Sequence, residues 1–121
     1  MIITKNQIDQ FEKNKIEDFI TKTIIFLRTN FASLFNNKHD IELKEYVNDF
    51  INFGLNYRIY KEMNIQRLII YCLKYNCQFP LPKALELNLI SNKFDEDTRV
   101  ENFYFNLKTE RYKLTNIELS N

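Results

Sequence analysis

The spacing of apolar residues follows the helical period along most of the chain. Apolar side chains recur at steps of three and four residues across 16–31, 43–57, 65–75 and 100–107. Residues at these steps share one face of an α-helix, so the pattern predicts amphipathic helices. The predicted fold is therefore all-α, a compact bundle of five or six helices.

Capping residues and prolines set the predicted bounds of these helices. A capping box at Thr4–Gln7 opens the first segment, Asp40 is a predicted N-cap, and Asp95 or Asp97 caps the last helix. A polar stretch at 12–15 allows a bend, and the prolines make residues 78–82 extended. Predicted helices cover 13–35, 41–57, 61–76, 83–90 and 96–111; residues 1–113 form one domain and 114–121 a loose tail.

The helix predicted at about 61–76 is apolar on nearly every side, which is typical of a central helix covered by others. The helix before it carries Gly54 on its apolar face. Glycine disfavours a helix interior by about 1 kcal/mol relative to alanine. We therefore expect a neighbouring helix to approach the backbone closely at Gly54.

Composition excludes several classes of function. The 121 residues include 17 basic and 16 acidic side chains, without the basic excess of a nucleic-acid-binding protein. A single glycine rules out glycine-rich phosphate loops. The longest apolar run, Leu68–Leu73, is far shorter than the roughly 20 residues that cross a bilayer. These features predict a cytoplasmic protein with no membrane insertion and no nucleic-acid partner.

The cysteines and the histidine do not form a metal-ligand pattern. Cys72 and Cys77 are the only cysteines, and His39 is the only histidine. A helix running through both cysteines would point their thiols to different faces. We expect ordinary buried or part-buried thiols in a reducing cytoplasm, and no metal or cofactor.

No catalytic motif is present, so we expect a protein that is not an enzyme and that acts by binding another protein. Seven tyrosines exceed what a small core requires, and tyrosine is favoured at protein interfaces. The predicted partner-binding residues lie around the turn that follows the predicted helix ending at residue 57. They are Tyr57, Arg58, Tyr60, Glu62, Arg67 and Phe79.

Two alternatives remain open from the sequence. One is a small enzyme with a site assembled from scattered residues, for instance Asp95, Asp97, His39 and Arg99. The other is a nucleic-acid-binding regulator with a helix-turn-helix at residues 57–62, against which the near-neutral charge argues.

Residues 57–65, with the sequence YRIYKEMNI, resemble the pattern Tyr-Gly-Ile-x-x-Glu-x-Asp-Ile of a family of small helical bacterial proteins encoded beside type VI secretion effector toxins. Arg58 stands in place of the pattern's glycine and Asn64 in place of its aspartate. Phe79, Pro82 and Arg99 suit its later Phe/Pro element and last-helix arginine. The resemblance covers about residues 41–107. It implies an accessory partner of a toxin or secretion component: a chaperone, an adaptor or an immunity protein.

Overall fold

Every regular element in the described part of the chain is helical. The computed structural model describes the backbone of residues 5–120 and the side chains of residues 13–109. This confirms the all-α fold class. The helices are α1 (Lys5–Asn30), α2 (Ala32–Phe35), α3 (Asp40–Asn56), α4 (Glu62–Tyr75), α5 (Lys83–Ile90) and α6 (Glu96–Ser120).

The predicted bounds agree best for α3, α4 and α5. Pro82 stands immediately before α5, and its carbonyl accepts the amides of Leu85 and Glu86, each at 3.0 Å. The backbone of α6 continues beyond Arg111 to Ser120. Whether residues 114–121 behave as a loose tail stays a prediction, as does the single domain over 1–113.

The first predicted helix differs from the structure in two places. No bend interrupts α1 at residues 12–15, where glutamate and lysine are good helix formers. The helix instead ends at Asn30, because Phe31 leaves the helical region with φ −129° and ψ 46°, and the short α2 follows. Thr4 of the predicted capping box lies outside the described residues.

The chain divides into two compact units, residues 1–49 and residues 50–121, and each is described by itself. In the first unit Leu27, Leu43 and Val47 are fully buried. The Arg28 guanidinium closes the loop after α2, donating to the carbonyls of Phe35 and Lys38 and to Asp40 Oδ1 at 2.7 Å.

Asp40 was predicted to be an N-cap, but it is the first residue of α3. The carbonyl of His39 accepts the amide of Leu43 at 3.1 Å, so His39 occupies the capping position. The Asp40 carboxylate pairs with Arg28 instead. It still lies in the first turn, where the helix dipole favours negative charge.

In the second unit α4 and α5 both pack against α6. No side chain between Leu68 and Leu73 is exposed, which confirms the predicted burial of this helix. On the partly exposed side of α4, the Tyr71 ring stacks on Tyr104 of α6 at 4.4 Å between centroids. The fully buried hydrophobic side chains of this unit are Ile59, Leu68, Ile69, Leu89, Val100 and Phe103.

The close approach expected at Gly54 is present. A Cβ atom at this position would overlap the Cδ1 methyl of Ile65, from α4, and would lie 3.2 Å from the Ile59 carbonyl oxygen. Ile65 is only 4% exposed and has little room to move away. The absence of a side chain at Gly54 therefore lets α4 pack against the end of α3.

Candidate partner-binding surface

The segment between α3 and α4, residues 57–61, is here called the α3–α4 corner. Arg58 adopts the left-handed conformation with φ 58°. The amide of Ile59 donates to the Gly54 carbonyl at 2.8 Å, and that of Arg58 to the Leu55 carbonyl at 3.1 Å. This pair of bonds is a Schellman motif, in which a left-handed residue ends the helix. Arg58 thus takes the backbone role usually filled by glycine.

Glu96, from the first turn of α6, holds the other end of the corner. Its Oε1 atom accepts the amides of Tyr60 and of Lys61, the latter at 3.1 Å. In a capping box the acidic residue three positions into the helix makes the bond to the N-cap amide. That position of α4 is Asn64, so α6 supplies the carboxylate from outside the helix.

Asn64 is fully buried at the start of α4 and binds two carboxylates. Its amide nitrogen donates to Glu96 Oε2 at 3.0 Å and to Asp97 Oδ1 at 2.8 Å. Lys61 Nζ reaches Asp97 Oδ2 at 3.0 Å. Hydrogen bonds from Asn64 and Lys61 lower the pKa of Asp97, and the bond to Asp97 raises the pKa of Lys61. Asparagine rather than aspartate suits this position because both neighbouring carboxylates require a donor.

Arg99 is 5% exposed, and its guanidinium joins the ends of two helices. It donates to the carbonyls of Tyr57 and Leu89, each at 2.6 Å, and to that of Arg58 at 3.1 Å. Tyr57 and Arg58 follow α3, and Leu89 lies in the last turn of α5. Helix C-termini carry partial negative charge, which compensates a buried cation. The buried guanidinium of Arg99 therefore holds the backbone of the corner at residues 57 and 58.

Four aromatic side chains form what we call the aromatic cluster: Phe50, Phe53, Tyr57 and Phe79. Phe53 is in edge-on contact with Tyr57 at 5.0 Å and with Phe79 at 5.4 Å between ring centroids. Phe79 also meets Phe50 edge-on at 6.1 Å. Burial, and then the charge and hydrogen bond of the Glu86 carboxylate, raise the pKa of Tyr57. The cluster places Phe79 beside the end of α3.

The six residues predicted from the sequence have four different placements. Tyr57 and Phe79 belong to the aromatic cluster, and Phe79 remains 53% exposed. Arg58 and Tyr60 lie on the corner, where Tyr60 is 67% exposed and Arg58 donates to Asn92 Oδ1 at 2.9 Å. Glu62 is exposed in the first turn of α4.

Arg67 belongs to a different environment from the corner. It is half-buried on α4, and its positive charge adds to the hydrogen bonds from Asn64 and Lys61 in lowering the pKa of Asp97. Ring contacts link Tyr57 and Phe79 through Phe53, and Arg58 and Tyr60 follow Tyr57 on the corner. These four predicted residues, Tyr57, Arg58, Tyr60 and Phe79, are here called the aromatic surface at the corner.

The residues of the open enzymatic alternative make structural contacts. Asp95 caps α6 as predicted, accepting the Thr98 amide at 2.8 Å, and hydrogen bonds to Thr98 lower its pKa. Asp97 binds Asn64 and Lys61, and Arg99 binds three carbonyls, as described above. His39 is exposed at the start of α3. Within residues 13–109 no group of acidic, histidine or cysteine side chains is placed to hold a metal ion.

Sequence reasoning missed the supporting residues Glu96, Asn64, Phe50 and Phe53. The signal for Asn64 was a polar residue directly preceding the buried stripe of α4, and such a residue needs a partner. Nothing near Asn64 in the sequence nominates Glu96, which follows 32 positions later. Phe50 and Phe53 differ by three positions on α3, but their contact with Phe79 depends on the irregular segment between α4 and α5.

Comparison with protein-family models, with curated proteins and with solved structures gives no match to this chain. Among the helices that the structure describes, none combines the length and the apolar character needed to cross a bilayer.

Proposed function

We propose that this chain is a non-enzymatic protein-interaction module that binds its partner through the aromatic surface at the corner. The observation that carries the proposal is the exposure of Tyr60 and Phe79, 67% and 53%. Tyr60 lies on the corner, whose backbone Arg99 and Glu96 hold by hydrogen bonds. Aromatic and arginine side chains dominate the binding energy of protein interfaces. Large exposed rings at a hydrogen-bonded corner are typical of such anchors.

The rigidity of the corner favours binding because the surface is already ordered. Arg99 and Glu96 hold the backbone of residues 57–61 from inside the second unit. A binding loop ordered in advance loses less conformational entropy on association. Arg58 contributes a guanidinium at the rim, where hydrogen bonds and charge govern specificity more than affinity.

The proposed partner is a secreted bacterial toxin or a component of its secretion apparatus. The chain binds this partner in the cytoplasm. This class of partner comes from the resemblance at residues 57–65 to accessory proteins of type VI effectors. The chain then acts as a chaperone, an adaptor or an immunity protein. Finding a toxin gene adjacent to the coding sequence would support this class of partner, whereas finding only unrelated neighbouring genes would count against it.

The test is affinity capture from the native host with single alanine variants. We expect Tyr60→Ala and Phe79→Ala each to weaken binding of the captured partner by about tenfold or more, as interface anchors do. Phe105→Ala is the matched control, since Phe105 is a similarly exposed phenylalanine of α6, at 58%. Circular dichroism checks that all three variants remain helical.

Two outcomes contradict the proposal. One is recovery of no stable partner while the chain is monodisperse alone. The other is equal loss of binding in Phe105→Ala and Phe79→Ala, which would place the contact elsewhere.

A further inference from the structure

The C-terminal end of α4 brings the two cysteines together. The helix stops at Tyr75, and Asn76 adopts the left-handed conformation with φ 50°. The amides of Asn76 and Cys77 both donate to the Cys72 carbonyl, that of Cys77 at 3.1 Å. We call residues 72–77 the α4 cap. The helix does not run through both cysteines, so their thiols do not point to different faces.

This backbone turn suits a cross-link between the two residues. A hydrogen bond joining the Cys77 amide to the Cys72 carbonyl holds the two Cα atoms within the roughly 4–7 Å that disulfides span. Both cysteines are unbridged, and their thiols lie close enough to shift each other's pKa. Closing the bond therefore requires rotation of side chains and no rearrangement of the helix.

The two thiols differ in access and in acidity. Cys72 is 6% exposed, whereas Cys77 is half-buried. The hydrogen bond to Cys77, and then burial, raise the pKa of Cys72. The hydrogen bond from Cys72 lowers the pKa of Cys77. Cys77 is thus the thiol that ionises first, and the thiolate is the reactive form of cysteine.

We infer that the α4 cap is a thiol–disulfide exchange site for low-molecular-weight disulfides such as oxidised glutathione. Cys77 is the attacking thiol, because it is the more accessible of the pair. Cys72 is the resolving thiol, because the cap holds it against Cys77 and burial shields it from direct attack. This inference is independent of the proposed partner surface.

The exchange proceeds in two balanced steps. The Cys77 thiolate attacks one sulfur of oxidised glutathione, the glutathione S–S bond breaks, and one glutathione leaves as a thiolate. Cys72 then loses its proton and attacks the Cys77 sulfur, releasing the second glutathione thiolate. The protein dithiol is oxidised to a Cys72–Cys77 disulfide by two electrons, and glutathione disulfide is reduced to two thiols.

The test incubates the full chain with oxidised glutathione and follows the product by intact mass. Cys72 and Cys77 are the only cysteines, so every change reports on this pair. The wild-type chain should lose two hydrogen atoms and retain no glutathione. Cys72→Ser should accumulate a mixed disulfide at Cys77, because no resolving thiol remains. Cys77→Ser should stay largely unmodified, because Cys72 is buried.

Three results overturn the inference. The first is a wild-type chain that accumulates the mixed disulfide without internal closure. The second is modification of Cys77→Ser as fast as Cys72→Ser. The third uses the wild-type chain alone, so that it does not depend on the folding of a variant: limiting iodoacetamide followed by peptide mapping should label Cys77 first, and preferential labelling of Cys72 contradicts the assignment.

Discussion

The ends of α3 and α4 use the same backbone device in different surroundings. Each helix stops at a left-handed residue other than glycine, Arg58 with φ 58° or Asn76 with φ 50°. The amide of the residue that follows donates to a carbonyl in the last turns of the helix. Ile59 donates to the Gly54 carbonyl at 2.8 Å, and Cys77 donates to the Cys72 carbonyl at 3.1 Å. The local stop signal is therefore nearly identical at the two ends.

The contacts around these two ends differ strongly. At the α3–α4 corner Ile59 is fully buried, Arg99 binds two of the corner's carbonyls, and Glu96 binds two of its amides. At the α4 cap Cys77 is half-buried, and the segment that follows, predicted to be extended at 78–82, instead bends at residues 79 and 80. A left-handed residue ends a helix locally, whereas tertiary contacts decide how firmly that end is held. We expect the corner to open only with global unfolding and the cap to open locally.

The largest expected effect comes from removing Arg99. Arg99→Ala leaves three carbonyls without their charged donor and should lower the free energy of unfolding by about 3–5 kcal/mol. Arg99→Lys should be intermediate, because one ammonium cannot reproduce the guanidinium fork. Urea unfolding measures both. Hydrogen exchange of the Ile59 amide should accelerate more than that of Cys77, and equal acceleration would contradict the comparison.

The second effect tests the donor at the start of α4. Asn64→Asp places a third carboxylate against Glu96 and Asp97 and should cost about 2–4 kcal/mol at pH 7. Asn52→Asp, on the exposed side of α3, is the control and should change stability little. Thermal unfolding at several pH values measures both variants.

The pH dependence of Asn64→Asp has a definite sign. Repulsion raises the folded-state pKa of the new carboxyl, so its deficit should shrink as the pH falls from 7 towards 5. The lowered pKa of Asp97 acts in the opposite direction at more acidic pH. Its stabilisation is present above its unfolded value, about 3.9, and is lost as the pH falls through its folded value. A deficit that is constant between pH 7 and 5 would exclude a charge effect.

A smaller loss of stability is expected when a methyl group is added at Gly54. Gly54→Ala gains about 1 kcal/mol of helix propensity but must displace the Ile65 methyl, for a net loss of about 1–2 kcal/mol. Ile65→Val removes that methyl and should itself cost about 1 kcal/mol. The double variant should be less destabilised than the sum of the two, because the clash is gone. Strict additivity in chemical denaturation would disprove the packing explanation.

The smallest effects are expected at the left-handed residues themselves. Arg58→Gly removes the cost of about 1–2 kcal/mol that a residue with a side chain incurs in the left-handed conformation. Because glycine also increases the entropy of the unfolded chain, the free energy of unfolding should rise by less than about 1 kcal/mol. Asn76→Gly should gain less, because asparagine tolerates this conformation. Thermal unfolding measures the stability of both variants. A large loss of stability in Arg58→Gly would show that the arginine side chain itself stabilises the corner.

Local signals predicted the helices and several of their ends. Pro82 and Asp95 mark the starts of α5 and α6, and Gly54 marks a close contact, because each acts through neighbouring backbone or a fixed steric need. Phe31 was not predicted to break the first helix, since its sequence continues the helical period. The bonds of Glu96 to the corner join segments more than 30 positions apart, and no local pattern contains them.

Within the candidate site, residue type alone nominated Tyr57, Arg58, Tyr60 and Phe79, which stay predictions, and it gave no indication of the residues that support them. Aromatic surplus and the turn between two helices indicated where a surface would form. The pairing of Cys72 with Cys77 follows from the left-handed Asn76, a conformation that the sequence permits without requiring it.

The stacked phenol rings of Tyr71 and Tyr104 give the molecule an optical signature of its own. The chain contains no tryptophan, so the long-wavelength part of its near-ultraviolet absorption comes from tyrosine, phenylalanine absorbing at shorter wavelengths. Two chromophores in face-to-face contact couple their electronic transitions, and this coupling vanishes once α4 and α6 separate. The circular dichroism of the tyrosine band therefore reads out the docking of these two helices without any added label.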